Sequence, residues 1–221
     1  MNLTEDSPFF CSWSGGKDSC LALHQAMQGG GSPVFLLTML NEDGEKSRGH
    51  GIPAGLIERQ ALSLGIPLAS RATTWQGYRT AFLSILGEFK REGIEVGVFG
   101  DIELEEHREW ITGACSSIGV GACFPLWGKS RRDLTEELFE AGFKAIVVAV
   151  REDALDKSYL GRDIDKVLLQ EFADLGIDAF GEGGEYHTVV TDGPIFLSPL
   201  LLEAKGEYFR DGHWILDVTC V

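Results

Sequence analysis

The chain has 221 residues, 44% of them apolar, which is enough for one large α/β domain with its own core. It has no apolar run long enough to span a membrane, an acidic rather than basic N-terminus, and five cysteines without a C-x-x-C pair. These features argue against a membrane protein, a secretory signal and a disulfide framework, so we expect a cytoplasmic protein. The net charge of −15 argues against a nucleic-acid binder.

The first predicted elements surround a glycine-rich loop. An apolar run at residues 9–11 predicts a strand, residues 19–28 predict a helix, and between them lies Ser14-Gly15-Gly16-Lys17-Asp18-Ser19. The glycines allow backbone N–H groups to converge on a phosphate, while the helix start, the lysine and the hydroxyls add positive charge and donors. The loop resembles the pyrophosphate-binding loop of the N-type ATP pyrophosphatases (the PP-loop superfamily), which cleave ATP between its α and β phosphates. A serine-rich helix cap is the structural alternative.

Short apolar runs without alternation recur along the chain. They fall at residues 9–11, 34–37, 96–99, 122–126 and 145–150, with helical stretches between them. Strands that are buried on both faces have this pattern, so we predict an α/β fold with a Rossmann-like (HUP) parallel sheet and helices on both faces. Glycines that should end the intervening helices stand at positions 65, 93, 119, 142 and 176.

The pattern changes after about residue 180. Strand-like pieces at 186–191, 195–197, 206–209 and 214–218 follow one another without helices, and Asp211-Gly212 is a two-residue hairpin signal. We therefore predict a Rossmann-like ATP-binding domain over residues 1–150. A small C-terminal α+β portion over residues 151–221, with a helix and a β meander, would bind the acceptor.

Ligands of open parallel sheets bind beyond the carboxyl ends of the strands, where several polar residues are expected here. Asp101 follows a strand end and, with Asp18, is predicted to bind Mg²⁺; binding ribose and capping the next helix are alternatives for Asp101. Met39 lies in the second strand, where the related PP-loop fold holds adenine. His50 lies in a glycine-rich loop at the predicted edge of the cleft.

A second dense cluster is Gly181-Glu-Gly-Gly-Glu-Tyr-His-Thr188. Its two carboxylates could bind Mg²⁺, hold an ammonium group or act as a base, and an exposed acidic turn is the alternative. Together with Asp192-Gly-Pro-Ile-Phe196, Pro125-Leu-Trp127 and the segment 155–162, the cluster resembles the diphthine–ammonia ligase family, whose members carry the same S-G-G-K-D-S loop. The matches run in the same order from Ser14 to Phe196.

Two departures concern the acceptor. Family members that act on elongation factor 2 tend to have G-A-I-x-S-x-Y-Q-R after the fourth strand, where this chain reads Gly100-Asp-Ile-Glu-Leu-Glu-Glu-His-Arg108. Phe180 also stands where many relatives have cysteine. The segments Gly100–Trp110 and Ser47-Arg-Gly-His-Gly51 look more like the bacterial branch of the family, whose hosts generally lack diphthamide.

The resemblance implies an ATP-dependent ligase that adenylates a carboxylate, releases pyrophosphate and lets ammonia or an amine displace AMP. The implied partners are ATP, Mg²⁺, the amine and a carboxylate acceptor, which is diphthine on elongation factor 2 or an unknown small molecule; a homodimer is left open. Two alternatives remain: a tRNA-modifying PP-loop enzyme, with Cys115 and Cys123 as candidate thiols, and a non-catalytic nucleotide-binding module.

The expected site residues fall into four groups. The catalytic group is Lys17, Glu182 and Glu185. The nucleotide-binding group is Ser14, Gly15, Gly16, Lys17, Asp18, Ser19, Met39 and Asp101. The substrate-binding group is His50, Arg162, Gly183, Gly184 and Thr188. The metal ligands are Asp18 and Asp101. We expect Lys17 to face solvent at the helix start, and Glu182 and Glu185 to face the ATP α-phosphate.

Overall fold

The computed structural model describes residues 4–221. They divide into two compact units, of which the first contains the chain up to Ser14 and Asp18–Gly128. The second unit contains Gly15–Lys17 together with Lys129–Val221. The division thus falls near residue 128, whereas the sequence pattern placed it near residue 150. None of the helices in the described part of the chain has the length and apolar character needed to cross a membrane.

The first unit is built around a five-stranded sheet. Its strands are β1 (Pro8–Ser12), β2 (Ser32–Leu40), β3 (Leu68–Ala72), β4 (Val96–Val98) and β5 (Gly121–Cys123). Its helices are α1 (Lys17–Gln28), α2 (Ala54–Leu64), α3 (Tyr78–Arg91) and α4 (Glu105–Ser116). All strand pairs are parallel, in the order β3-β2-β1-β4-β5, so the predicted parallel sheet is confirmed.

The strand order reverses direction between β1 and β4. With right-handed crossovers, this reversal puts α3 and α4 on the same face of the sheet. The core on that face includes Phe10 of β1, Phe89 of α3 and Ala114 of α4, and the ring centroids of Phe10 and Phe89 are 5.1 Å apart. The loops that follow β1 and β4 flank the reversal point, which is where open parallel sheets bind ligands.

The second unit contains a four-stranded sheet in the order β7-β6-β9-β8. Its strands are β6 (Lys144–Arg151), β7 (Tyr186–Asp192), β8 (Leu202–Arg210) and β9 (His213–Cys220). Helices α5 (Arg131–Glu140) and α6 (Lys166–Asp174) and a short 3₁₀ helix (Lys157–Tyr159) complete it.

Strand β6 corrects one prediction. Its apolar run at 145–150 was assigned to the parallel sheet, but β6 pairs antiparallel with both β7 and β9. The run is almost entirely buried, and a central strand buried on both faces has the same sequence pattern in either kind of sheet. The predicted strand at 195–197 is also wrong, because the structure has turns and bends there.

The predicted turns are confirmed. The five helix-ending glycines have left-handed φ angles between 67° and 85°. Asp211 and Gly212 have φ angles of 50° and 80° and join β8 to β9 as a two-residue hairpin turn.

The Gly212 turn can be tested against a helical glycine. We expect Gly212→Ala to lower the free energy of unfolding by about 1–2 kcal/mol, because its left-handed φ is strained for any residue with a Cβ. Gly87, inside α3, has open space around the position of a Cβ, so Gly87→Ala should raise the free energy of unfolding by about 0.5–1 kcal/mol. Urea denaturation measures both effects, and a Gly212→Ala protein as stable as wild type would contradict the turn assignment.

Candidate functional site

The loop at residues 14–19 connects β1 to α1. Strand β1 ends at Ser12 and α1 begins at Lys17, so the predicted order of strand, loop and helix is confirmed. The hydroxyl oxygens of Ser14 and Ser19 lie 3.2 Å apart across the loop. Gly15 has a φ of 79°, a conformation that favours glycine, so the first turn of the loop depends on this residue.

The centre of this loop is hydrogen-bonded to β7 within the second unit. The Val190 N–H donates to the Gly15 carbonyl at 3.0 Å, and the Lys17 N–H donates to Thr188 Oγ1 at 3.1 Å. Thr188 is only 3% exposed. The structure therefore shows Thr188 supporting the backbone of the loop, while its predicted contact with substrate stays a prediction.

Lys17 lies in a buried, aromatic environment. Only 3% of the residue is exposed, and its Nζ donates to the Phe180 carbonyl at 2.5 Å. The same nitrogen lies 4.9 Å from the ring centroid of Phe180 and 5.1 Å from that of Tyr186. The expectation of a solvent-facing lysine is wrong, because residues far along the chain cover it. A carbonyl and two ring faces offset part of the cost of removing an ammonium group from water.

A bidentate ion pair fixes the segment that covers Lys17. Arg131 Nε and Nη2 donate to the Asp178 carboxylate at 2.8 and 2.7 Å, and Asp178 Oδ1 accepts from the Phe180 N–H at 2.8 Å. Burial acts to raise the pKa of Asp178, but the hydrogen bonds from Arg131 and Phe180 and the charges of Arg131 and Lys17 together hold this pKa below its ordinary value. Sequence reasoning missed this pair, because its partners are 47 positions apart in the chain.

Neighbouring arginines provide a matched test of this ion pair. Arg131→Gln should lower the free energy of unfolding by about 1–3 kcal/mol, because Asp178 would keep a partly buried charge without its bidentate partner. Arg132 is exposed and pairs with Glu136 one helical turn away, so Arg132→Gln should leave the free energy of unfolding almost unchanged. Chemical denaturation of both variants makes the comparison, and equal effects would contradict the role given to Arg131.

The cluster at residues 181–188 folds tightly around Glu185. A Cβ on Gly183 would lie 2.6 Å from Glu185 Oε1, so the carboxylate can occupy this place only beside a glycine. Arg151 holds the turn through its side chain, which donates to the Gly183 carbonyl at 2.5 Å, and its backbone N–H, which donates to the Glu185 carbonyl at 2.9 Å. His213 Nε2 lies 3.3 Å from the Gly184 carbonyl oxygen.

The Glu185 carboxylate is the chemically notable group of this cluster. Its Oε2 atom is buried and has no hydrogen-bond partner among residues 4–221. Glu182 and Glu185 are both half-buried, which disagrees with the alternative of an exposed acidic turn. A buried carboxylate oxygen without a donor favours a bound cation or N–H group.

Asp101 and Asp18 approach each other within the first unit. A Cβ on Gly100 would lie 2.9 Å from the carbonyl carbon of Asp18, so the end of β4 packs directly against the start of α1. Burial is the main cause that raises the pKa of Asp101, and the charge of Asp18 adds to it, against the opposing effect of His107 at 3.6 Å. Helix α4 begins after Leu104 without a side-chain cap, so Asp101 does not cap that helix.

The other predicted site residues are less distinctive. Met39 is 9% exposed and its side chain belongs to the hydrophobic core. His50 is half-buried in the loop between β2 and α2. Arg162 forms a bidentate pair with Glu171 at 2.6 and 2.8 Å, which ties the segment before α6 to that helix. This pair explains the position of Arg162 without a substrate, and the predicted binding roles of all three residues stay predictions.

The two cysteines proposed for tRNA chemistry lie in unsuitable surroundings. Cys115 is fully buried, and burial raises the pKa of its thiol to about 12. Burial also raises the pKa of Cys123. Because the thiolate is the reactive form, these thiols are poorly suited to nucleophilic chemistry at neutral pH.

Comparison with protein families covers nearly the whole chain. The model of the diphthamide synthase N-terminal domain matches residues 10–122, and that of the diphthamide synthase C-terminal domain matches residues 130–218. The chain belongs to the diphthamide synthase family. The resemblance inferred from the loop and the C-terminal cluster is thereby confirmed, while membership of its bacterial branch stays a prediction.

Several curated relatives are named diphthine–ammonia ligase. The diphthine–ammonia ligases of Bos taurus and Mus musculus are each 25% identical over 224 residues, which cover 87% of this chain and 81% of theirs. That of Danio rerio is 26% identical, over 86% of this chain and 84% of its own. Among solved structures, a U34-tRNA thiolase from Methanococcus maripaludis covers 62% of this chain and 58% of its own, with 14% identity and a TM-score of 0.39.

Proposed function

We propose that this protein is an ATP-dependent ligase that forms an amide by adenylating a carboxylate and letting ammonia or an amine displace AMP. The observation that carries the proposal is the contact between two separate motifs at one lysine. Lys17 belongs to the glycine loop, and its buried ammonium group lies against Phe180, which precedes the cluster at 181–188, and against Tyr186, which follows Glu185 within it. A module that only bound a nucleotide would not need Glu185, whose Oε2 atom is buried without a hydrogen-bond partner among residues 4–221.

The first step is transfer of AMP to the acceptor. A carboxylate oxygen of the acceptor attacks the α-phosphorus of ATP, the bond to the bridging oxygen breaks, and pyrophosphate leaves with the electron pair. Negative charge grows on the leaving group, and a buried positive charge stabilises it more strongly than an exposed one would. The burial of Lys17 and the hydrogen bonds that hold residues 15–17 support this role.

The second step is displacement of AMP. The nitrogen of ammonia attacks the acyl carbon, AMP leaves with the electron pair of the broken bond, and the nitrogen gives up a proton. We assign the orientation of the amine and the acceptance of that proton to Glu185, because its buried Oε2 has no hydrogen-bond donor within residues 4–221. Glu182, two positions beyond Phe180 in the same turn, is assigned to the same amine.

Mg²⁺ is the metal that we assign to Asp18 and Asp101. The raised pKa of Asp101, caused by burial and by the charge of Asp18, fits two carboxylates that would be stabilised by a cation between them. No group of three His, Cys, Asp or Glu side chains suited to a metal occurs among residues 4–221, and Mg²⁺ commonly takes one or two carboxylates with phosphate oxygens. When bound, the ion neutralises phosphate charge.

The acceptor is assigned from the names of the relatives and from residues 100–108. The curated relatives are named diphthine–ammonia ligases, and this name supports a carboxylate acceptor and ammonia as the amine. Where the host makes diphthamide, we assign diphthine on elongation factor 2. Otherwise we assign a small-molecule acceptor, because residues 100–108 differ from the motif of family members that act on elongation factor 2. The five unpaired cysteines support a cytoplasmic location.

The charge of Lys17 can be tested apart from its packing. Lys17→Met keeps an unbranched apolar stem against Phe180 and Tyr186 but removes the charge, whereas Lys17→Ala would also empty buried space. We expect Lys17→Met to remain folded and to lose ATP-dependent AMP formation by about 10²–10³-fold. Lys144→Met, which removes an exposed lysine of β6, should leave AMP formation unchanged. Wild-type AMP formation by the Lys17 variant would rule out its role.

The amine site can be tested with Glu185→Gln, which keeps the size of the side chain but removes the charge. ATP affinity, measured by calorimetry, should change little. AMP formation that depends on ammonium ions should fall by about 10²-fold or more, because Gln cannot accept a proton. Glu203→Gln, on the exposed strand β8, is the matched control. The role of Glu185 would be contradicted if the variant kept the ammonium dependence of the wild type.

A further inference from the structure

The first unit contains a cavity that none of the assignments above uses. Its volume is about 460 Å³, a size typical of small-molecule sites. The lining side chains come from the loop after β3, the start of α3 and the middle of α4; they are Trp75, Tyr78, Arg79, His107, Trp110 and Ile111.

Three aromatic rings form the walls of this cavity. The Tyr78 ring centroid lies 5.9 Å from that of Trp75 and 5.7 Å from that of Trp110. Trp75 is 69% exposed and Trp110 is 36% exposed, although both are large apolar residues. A cavity that leaves grouped aromatic surface open to water favours a ligand with an apolar or planar body.

Arg48 holds one of these walls in place. Its guanidinium group lies over the Trp75 ring, 5.0 Å from the centroid, and its Nη2 donates to the Thr73 carbonyl. The Nε of Arg48 is buried without a hydrogen-bond partner among residues 4–221. The positive charge beside Trp75 disfavours a cationic ligand at the same ring.

The polar groups on the lining are donors. Arg79 is exposed and forms no ion pair with the described residues. Tyr78 has a phenolic hydroxyl, which is protonated at neutral pH and can donate a hydrogen bond. A guanidinium group, a hydroxyl and an imidazole around an apolar cavity are complementary to a carboxylate.

His107 connects the cavity to the proposed site of adenylation. It lines the cavity, and its Nδ1 lies 3.6 Å from Oδ1 of Asp101, the residue that we assign to Mg²⁺. A ligand whose carboxylate is near His107 is therefore also near the end of β4, which packs against the start of α1.

We infer that, where the host makes no diphthamide, this cavity binds the acceptor, and that this acceptor is a free carboxylic acid with an aromatic or apolar body. This inference rests on the proposed ligase function. The body of the acid packs between Trp75, Tyr78 and Trp110, and Arg79 and His107 orient its carboxylate. The positive charge of Arg48 over the Trp75 ring disfavours acceptors that place a cation against this ring.

Calorimetric titration of the full chain without ATP tests the inference. The probe is 3-phenylpropionate, and 3-phenylpropionamide and 3-phenylpropylamine are its neutral and cationic counterparts. The acid should bind at least about tenfold more tightly than the other two, and Arg79→Gln should weaken the acid about tenfold or more. Arg91→Gln, at the far end of α3, is the matched control and should bind the acid as the wild type does.

Three results would overturn the inference: tighter binding of the amine than of the acid, unchanged acid binding by Arg79→Gln, or no binding of 3-phenylpropionate, indole-3-acetate or hexanoate below about 10 mM.

A second measurement separates this inference from the proposed function. Acid binding that is sensitive to Arg79→Gln, without AMP release when ATP and ammonium are added, supports the cavity assignment and contradicts the ligase. AMP release that requires the acid but not Arg79 supports the ligase and overturns the cavity assignment.

Discussion

The burial of the Lys17 ammonium group is the constraint on which the rest of the site depends. A lysine that is only 3% exposed must recover the free energy of its lost hydration from its surroundings. The Phe180 carbonyl and the rings of Phe180 and Tyr186 provide part of it, and Asp178 and Arg131 fix the segment that contributes them. Gly181 contributes to this packing, because a Cβ at its position would lie 2.9 Å from the Tyr186 ring.

Much of the fold could be predicted because apolar runs and turn residues are local signals. The strand before the loop, the helix-ending glycines and the Asp211-Gly212 hairpin all depend on neighbouring residues, and all are confirmed. Strand β3 was missed because Leu68-Ala-Ser-Arg-Ala72 is only partly buried and has no apolar run. The direction of β6 was wrong because its partners β7 and β9 lie far along the chain, and an apolar run does not specify whether its neighbours are parallel.

In the site, too, short motifs could be predicted from the sequence, whereas contacts between distant residues could not. The loop at 14–19 and the cluster at 181–188 were found because each concentrates glycines and charged residues in one short segment. The environment of Lys17 could not be predicted, since it depends on a contact across 163 positions. The aromatic cavity was missed because Trp75 and Trp110 belong to different elements, and only the packing of α3 against α4 brings their rings to one place.

The grouping of residues 15–17 with the second unit has a consequence for how this gene can change. The family models treat residues 10–122 and 130–218 as separate domains, which suggests two exchangeable modules. The lysine, however, is encoded with the first domain and is housed by side chains encoded with the second. Recombination between domains would therefore give a protein with a complete parallel sheet in which Lys17 lacks the native side chains that bury it. We therefore expect substitutions at Phe180 and Tyr186 to be constrained by the lysine at position 17.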